Sequence, residues 1–169
     1  VFDPIGDNNV YEDSFMGTFD GQGYTISNLI VSSQKKNTFG LFGYCVSATL
    51  KSFILDSSCS VNAILTTDTE SGSNSNSGGS GLSEATITVG AVVGSFDSLQ
   101  KRAVLDGVFN QAKVTVSGEA DCIASVGGVL GLSKSLSETV SVKNCANLGD
   151  VTVSGTASVV NMGGVAGGF

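Results

Sequence analysis

The fold of this chain is decided by a stretch near its N-terminus, residues 15–31, which reads FMGTFDGQGYTISNLIV. Two closely spaced glycines, Gly21 and Gly23, are expected to form a tight turn that separates one short apolar segment from the next. Asp20 stands directly before this turn, where its carboxylate is expected to cap backbone amides. The remainder of the chain repeats the same pattern, which predicts a stack of similar coils.

A six-residue glycine block occurs four times and sets the period of the chain. Its copies begin at residues 38, 89, 126 and 162, so the intervals are 51, 37 and 36 residues. We attribute the excess in the first interval to an inserted, flexible Ser/Gly/Asn-rich loop at 70–83. The glycines that we expect to form turns or close contacts in these blocks are Gly40, Gly43, Gly90, Gly94, Gly127, Gly131, Gly163 and Gly167.

Further segments repeat in step with the glycine blocks. Residues 105–108 match 142–145, and residues 113–118 match 150–155, both at an offset of 37. Earlier in the chain, residues 25–31 match 49–55 at an offset of 24. We therefore expect repeats of about 24–37 residues, with like residues stacked on one another. The expected stacks place Ile26 on Leu50, Leu29 on Phe53 and Val108 on Cys145.

The repeated segments have the character of short β-strands. Val114-Thr115-Val116 and Val151-Thr152-Val153 alternate and consist of β-branched residues. Short strands, glycine corners and a period of this length are typical of a stacked solenoid. The sequence thus predicts one all-β domain over residues 1–169, a parallel β-helix, as a piece of a longer repeat chain. A β-sandwich of seven or more strands is the alternative fold.

Composition excludes several classes of partner. The chain carries 15 acidic and 8 basic residues and a net charge of −7, so it lacks the basic face that nucleic acid requires. No apolar run approaches the roughly 20 residues of a membrane-spanning helix. We expect neither nucleic-acid binding nor membrane insertion.

Four cysteines, Cys45, Cys59, Cys122 and Cys145, admit two interpretations. They are either extracellular disulfides or buried thiols of the core. We favour disulfides, pairing Cys45 with Cys59 and Cys122 with Cys145 by their order in the chain. No histidine and no CxxC spacing are present, so no metal site is expected.

At this point the residues resemble a known family. Pro4-Ile5-Gly6, residues 15–29 and Gly40-Leu41-Phe42-Gly43 resemble the GLUG-type repeat region of large bacterial and protist surface proteins. That region includes the non-catalytic parts of some IgA-cleaving metalloproteases. Residues 144–151 and 163–167 are similar to later repeats of such proteins. The resemblance implies a right-handed parallel β-helix, secreted or on the cell surface, and it brings no catalytic residues or cofactor.

Candidate chemistry is limited to carboxylates and aromatic rings. Asp20, Asp56, Asp106 and Asp150 each follow or bracket a predicted strand, and a glycosidase needs two carboxylates about 5–10 Å apart. Coil-corner carboxylates that bond backbone amides are the structural alternative, and it is the one that we favour.

We therefore expect a non-catalytic structural or adhesive module of an extracellular surface or filament protein. A polysaccharide hydrolase or lyase, or a glycan-binding β-helix, is the alternative function. The chain begins and ends inside the repeat pattern without a polar cap, which predicts end-to-end association with neighbouring subunits or repeats. Surface glycans are a second class of expected partner.

Overall fold

The computed structural model describes residues 1–6, 11–33, 37–65 and 85–169. The described chain is all-β, with one 3-10 turn at Tyr11–Asp13. The strands are β1 (Thr18–Ile26), β2 (Ile30–Ser33), β3 (Thr38–Phe39), β4 (Phe42–Val46), β5 (Thr49–Leu55), β6 (Ser60–Leu65), β7 (Ala85–Gly90), β8 (Val93–Ser98), β9 (Ala103–Asn110), β10 (Lys113–Gly118), β11 (Cys122–Gly127), β12 (Leu130–Ser135), β13 (Val140–Lys143), β14 (Ala146–Asn147), β15 (Val151–Val153), β16 (Val159–Gly163) and β17 (Ala166–Gly168).

These strands form four parallel sheets, and consecutive strands enter the sheets in a fixed rotation. Sheet 1 has the order β1-β5-β9-β13, with β14 also on β9; sheet 2 is β2-β6-β10-β15, sheet 3 is β3-β7-β11-β16, and sheet 4 is β4-β8-β12-β17. We name the four rounds repeat 1 (β1–β4), repeat 2 (β5–β8), repeat 3 (β9–β12) and repeat 4 (β13–β17). Each repeat thus pairs with its neighbours in chain order, an arrangement compatible with the predicted β-helix.

The core is built from columns of like residues, one from each repeat. In sheet 2, Val31 pairs with Val61, Val61 with Val114 and Val114 with Val151. The first three are buried and the fourth, in repeat 4, is half-buried. Because parallel strands stack at about 4.8 Å, each inward-facing apolar side chain of these columns in a middle repeat is covered on both sides by its counterparts.

The predicted offsets of 37 and 36 residues are the observed pairing offsets of the later repeats. Val126 pairs with Val89 and with Met162, and Leu130 pairs with Val93 and with Ala166. The 37-residue offset also brings Ala146 against Phe109, so Cys145 stands beside Val108 as predicted.

The predicted 24-residue offset is wrong. Thr49 pairs with Thr18, at an offset of 31, rather than with Thr25. Leu50 stacks on Phe19 and Phe53 on Tyr24, so the predicted stacks on Ile26 and Leu29 do not form. The cause is an irregularity between Asp20 and Tyr24, where the Gly21–Gly23 turn lies within β1 instead of separating two strands.

Repeat 2 is lengthened between β6 and β7. Gly118 pairs with Leu65, but Cys122, four residues later, pairs with Ala85. The extra chain therefore enters between Leu65 and Ala85. The predicted loop at 70–83 lies outside the described residues.

The N-terminal segment covers part of repeat 1. Phe2 forms a parallel bridge with Val31, Ile5 with Phe42 and Phe15 with Cys45. The Phe15 ring centroid lies 4.9 Å from that of Phe42. Sheets 2 and 4 are thereby partly capped at this end of the stack, whereas β5 is the only described strand that pairs with β1.

Candidate functional site

The repeated glycines lie where sheets 3 and 4 approach each other most closely. A Cβ on Gly94 would stand 2.8 Å from the Gly43 carbonyl oxygen and 2.8 Å from the Phe39 amide nitrogen. A Cβ on Gly131 would meet the corresponding atoms one repeat later, at 2.5 Å from the Gly94 oxygen and 2.6 Å from the Val89 nitrogen. Real Cβ atoms essentially never come this close to backbone, so the corner admits only glycine.

Asp20 lies at the head of a ladder of alternating charge in sheet 1. Register pairs place Asp20 beside Lys51, Lys51 beside Asp106, and Asp106 beside Lys143. The Lys51 Nζ lies 3.1 Å from an Asp20 carboxylate oxygen. The Lys143 Nζ lies 3.1 Å from an Asp106 carboxylate oxygen. The ladder starts with an acid in repeat 1 and ends with a lysine in repeat 4.

A backbone kink follows each charged residue of this ladder. Ser52, Gly107 and Asn144 come directly after Lys51, Asp106 and Lys143, and all three have positive φ, at 57°, 64° and 53°. In repeat 1 the corresponding turn contains Gln22, with a φ of 51°. Left-handed backbone is the region that glycine and asparagine tolerate best.

Hydrogen bonds and lysines hold the ladder carboxylates in their ionised form. The Gln22 amide, which donates to Asp20 at 3.0 Å, and then Lys51 lower the pKa of Asp20. The Asn144 side-chain amide, at 2.9 Å, and then Lys143 lower the pKa of Asp106. Asp20 therefore caps the turn that it precedes, as the sequence predicts.

Asp56 has the same kind of structural role outside the ladder. The Ser27 and Ser58 hydroxyls and the Ser58 amide donate to its carboxylate and lower its pKa. Asp150 comes directly before β15 of sheet 2, and among the described residues no side-chain bond joins it to the other carboxylates. Of the predicted acids, Asp20 and Asp106 thus share one column of sheet 1, separated by Lys51, whereas Asp56 and Asp150 lie outside it.

A second ladder, of asparagines, joins repeats 3 and 4. The fully buried Asn110 accepts from the Ala112 amide at 3.0 Å and donates to the Ala112 carbonyl oxygen at 3.0 Å. Asn147 makes the same pair of bonds to Gly149, at 3.2 and 2.8 Å. The Asn110 Nδ2 also donates to the Asn147 Oδ1 at 2.8 Å, which links the two repeats.

The position that asparagine occupies in repeats 3 and 4 is apolar in repeats 1 and 2. Ile26 pairs with Leu55, and Leu55 with Asn110, so the asparagines begin only in repeat 3. Sequence reasoning missed both asparagines, although they stand 37 residues apart, the offset of the neighbouring matched blocks.

The outer edge of repeat 4 is the side of β13–β17 that faces away from repeat 3, and no described strand pairs with it. Met162 is 58% exposed, whereas its stacking partner Val126 is fully buried. Val159 and Val160 are also exposed on this edge. A shallow depression of about 340 Å³ opens there, lined by Asn147, Gly149, Asp150, Val151, Met162, Gly163 and Gly164.

Asp97 is the most deeply buried carboxylate described in the chain. It lies in β8, 5% exposed, and the Tyr44 hydroxyl donates to its Oδ2 at 3.1 Å. Its Oδ1 has no partner among the described residues. Burial raises the pKa of Asp97, and burial together with the Asp97 charge raises the pKa of Tyr44.

The predicted disulfides are wrong. All four cysteines lie in the described part of the chain and none is disulfide-bonded. Cys45 lies in sheet 4, Cys59 before β6 of sheet 2, Cys122 in sheet 3 and Cys145 beside β13 of sheet 1. Cysteines that are adjacent in sequence therefore project from different sheets, and burial raises the pKa of the Cys45 and Cys145 thiols.

Within the described ranges, no three His, Cys, Asp or Glu side chains come together as ligands for a metal ion. In the same part of the chain, no helix has the length and hydropathy of a membrane span. Comparison of the sequence with protein-family models and with curated proteins, and of the structure with solved structures, found no match.

Proposed function

We propose that this chain is a non-catalytic, rigid module of an extracellular surface or filament protein, built as a right-handed parallel β-helix. Its role is mechanical: the stack displays loops and side chains, and its ends associate with neighbouring subunits or repeats. The resemblance to GLUG-type repeat regions supports the handedness, the surface location and an adhesive role. Because the four cysteines form no disulfides, they do not support an extracellular location.

The observation that carries the proposal is the order of strands in the four sheets. Every sheet stacks its strands in the order of the repeats, so the backbone hydrogen bonds run along the axis of the stack. At about 4.8 Å per repeat, the four repeats rise roughly 15–20 Å. A stack of this kind resists bending because each repeat is hydrogen-bonded to the next through four separate sheets.

The disposition of the carboxylates supports a role without catalysis. Asp20 and Asp56 are engaged by turn amides and hydroxyls, and Asp106 by Lys143 and Asn144. Their lowered pKa values favour the ionised form, whereas a glycosidase needs one carboxyl that stays protonated at working pH. These acids stabilise corners of the stack.

Sedimentation velocity over a wide concentration range, combined with electron microscopy, tests the proposal. We expect concentration-dependent dimers or longer rods, all with the width of one stack, joined through the ends of the stack. In parallel, neutral and acidic polysaccharides are incubated with the chain and assayed for new reducing ends and for unsaturated products. A monomer at every concentration together with glycan turnover would replace the structural role by the enzymatic one.

A further inference from the structure

The outer edge of repeat 4 carries more information than an exposed apolar surface. Lys143, Asn147 and Gly164 each have a counterpart one repeat earlier, and in repeat 3 that counterpart is already covered by repeat 4. The contacts between repeats 3 and 4 therefore show what the edge would hold if another repeat were added.

The asparagine ladder supplies the first requirement. Asn110 uses its second amide hydrogen to donate to Asn147. Asn147 repeats the local bonds of Asn110 but has no acceptor for that hydrogen among the described residues. An added repeat that placed an asparagine over Asn147 would accept it.

The glycines beside the depression supply the second requirement. A Cβ on Gly128 would overlap the side chain of Asn147, which lies over it. Gly164 takes the place of Gly128 one repeat later, since its neighbour Gly163 pairs with Gly127. A Cβ on Gly164 would meet nothing within 4 Å. The space that Asn147 occupies above repeat 3 is therefore open above repeat 4.

The charge ladder supplies the third requirement. Asp20, Lys51, Asp106 and Lys143 alternate in sign, and Lys143 is the last of them. The Lys143 side chain is 57% exposed and pairs with Asp106 on one side only. Charge complementarity at the next position calls for a carboxylate.

We infer that the outer edge of repeat 4 is a docking site for a parallel β-repeat with a carboxylate opposite Lys143 and an asparagine opposite Asn147. Because Lys143 and Asn147 are four residues apart, the partner carries an acid followed four residues later by asparagine. A residue that tolerates positive φ comes directly after the acid, as Gly107 follows Asp106. The inference rests on the proposed function, since it names the partner for end-to-end association.

The N-terminal end of a second copy does not meet these requirements, although Asp20 would suit Lys143. Ile26 occupies the asparagine position there. The β4 edge of that copy is already bonded to Ile5, whose amide donates to the Leu41 oxygen at 3.0 Å. Phe2 is likewise bonded to Ile30. These contacts favour a different repeat as the partner.

Repeat 3 of this chain has the required pattern, in Asp106, Gly107 and Asn110. A fluorescein-labelled synthetic peptide of residues 103–118 is therefore the probe, titrated with the whole chain and followed by fluorescence anisotropy. We expect saturable binding, weakened about three- to fivefold by Asp106→Lys in the peptide. Lys143→Asp in the chain should weaken binding of the wild-type peptide and restore binding of the Asp106→Lys peptide.

Two further variants locate the site. Gly164→Leu fills the depression and should abolish peptide binding while circular dichroism and melting stay as in the wild type. Asp20→Lys, at the opposite end of the stack, should leave the affinity unchanged.

The inference is overturned if the peptide does not bind, or if binding is indifferent to Gly164→Leu and shows no charge reciprocity. It is also overturned if Asp20→Lys removes binding, or if the chain self-associates through Asp20 and Gly164 together, which identifies a second copy as the partner. If sedimentation shows rods but the peptide fails, only this partner assignment fails and the structural role stands.

Discussion

Replacing Asn110 by alanine should destabilise the chain by about 3 kcal/mol. The change removes three hydrogen bonds, two to Ala112 and one to Asn147. Ala112 is fully buried, so water does not replace its partners. At about 1 kcal/mol for each bond, the loss amounts to roughly 3 kcal/mol.

Asn147→Ala should cost less, about 1 kcal/mol, because Asn147 is only half-buried and water reaches its local partner Gly149. A double-mutant cycle between Asn110 and Asn147 should give a coupling energy of about 1 kcal/mol for their shared bond. Asn161→Ala is the control, since Asn161 is exposed in the same repeat and should change stability by less than about 0.5 kcal/mol.

Urea unfolding followed by far-ultraviolet circular dichroism measures these differences. The reasoning is refuted if Asn110→Ala is as mild as Asn161→Ala, because the buried amides of Ala112 would then have no need of the side chain. Strict additivity in the cycle would show that Asn110 and Asn147 act as two separate turns.

Four further outcomes are expected. Gly131→Ala places a Cβ against backbone atoms and should lower the free energy of unfolding in urea by about 3 kcal/mol or more. Gly164→Ala should be within about 0.5 kcal/mol of wild type, and equal losses for the two variants would contradict the close approach at Gly131. Lys51→Met should raise the pKa of the Asp106 carboxyl, as read from a carboxylate NMR titration, and an unchanged value would mean that Lys51 does not contribute to the ladder. The raised pKa of Asp97 means that the native state holds this proton more tightly than the unfolded chain. The wild type should therefore gain stability relative to Asp97→Asn as pH falls towards about 4, and a loss relative to that variant would contradict the burial of the carboxylate. Titration with Ellman's reagent in guanidinium without reductant should find four thiols, and two or none would restore the disulfides.

The part of the fold that could be predicted from sequence is the part marked by glycine. A close approach between sheets 3 and 4 recurs at Gly94, Gly131 and Gly167, and each approach excludes a side chain. Because this constraint is the same in every repeat, glycine recurs at a nearly constant interval, and that interval gives the register in which the strands pair. Apolar positions tolerate exchange among Val, Leu, Ile and Phe, so they carry the register less sharply.

The prediction failed where a turn is contained within a strand. The Gly21–Gly23 stretch has the composition of a loop between two strands, but β1 continues through it as an irregularity. Matching Thr25 to Thr49 by letter therefore placed repeat 1 several residues out of register. The backbone kink after Asp20 belongs to a column that includes Ser52, and serine at positive φ has no sequence signature.

The polar ladders could not be found from single positions. Asn110 and Asn147 each look like an ordinary turn residue, and only stacking shows that one bonds the other. The disulfide prediction failed for a related reason, because the order of the cysteines along the chain does not show which sheet each of them lies in.

The alternating charges of sheet 1 also bear on how the chain avoids folding errors. Repeat proteins are prone to misassembly between their repeats. In one such error, one repeat is skipped and the next takes its place. If repeat 3 stacked directly on repeat 1, Asp106 would stand beside Asp20, and repeat 4 on repeat 2 would place Lys143 beside Lys51. Like charges directly opposite each other destabilise a sheet. Skipping one repeat thus places like charges opposite each other, so the alternating ladder disfavours stacking of the repeats in the wrong order.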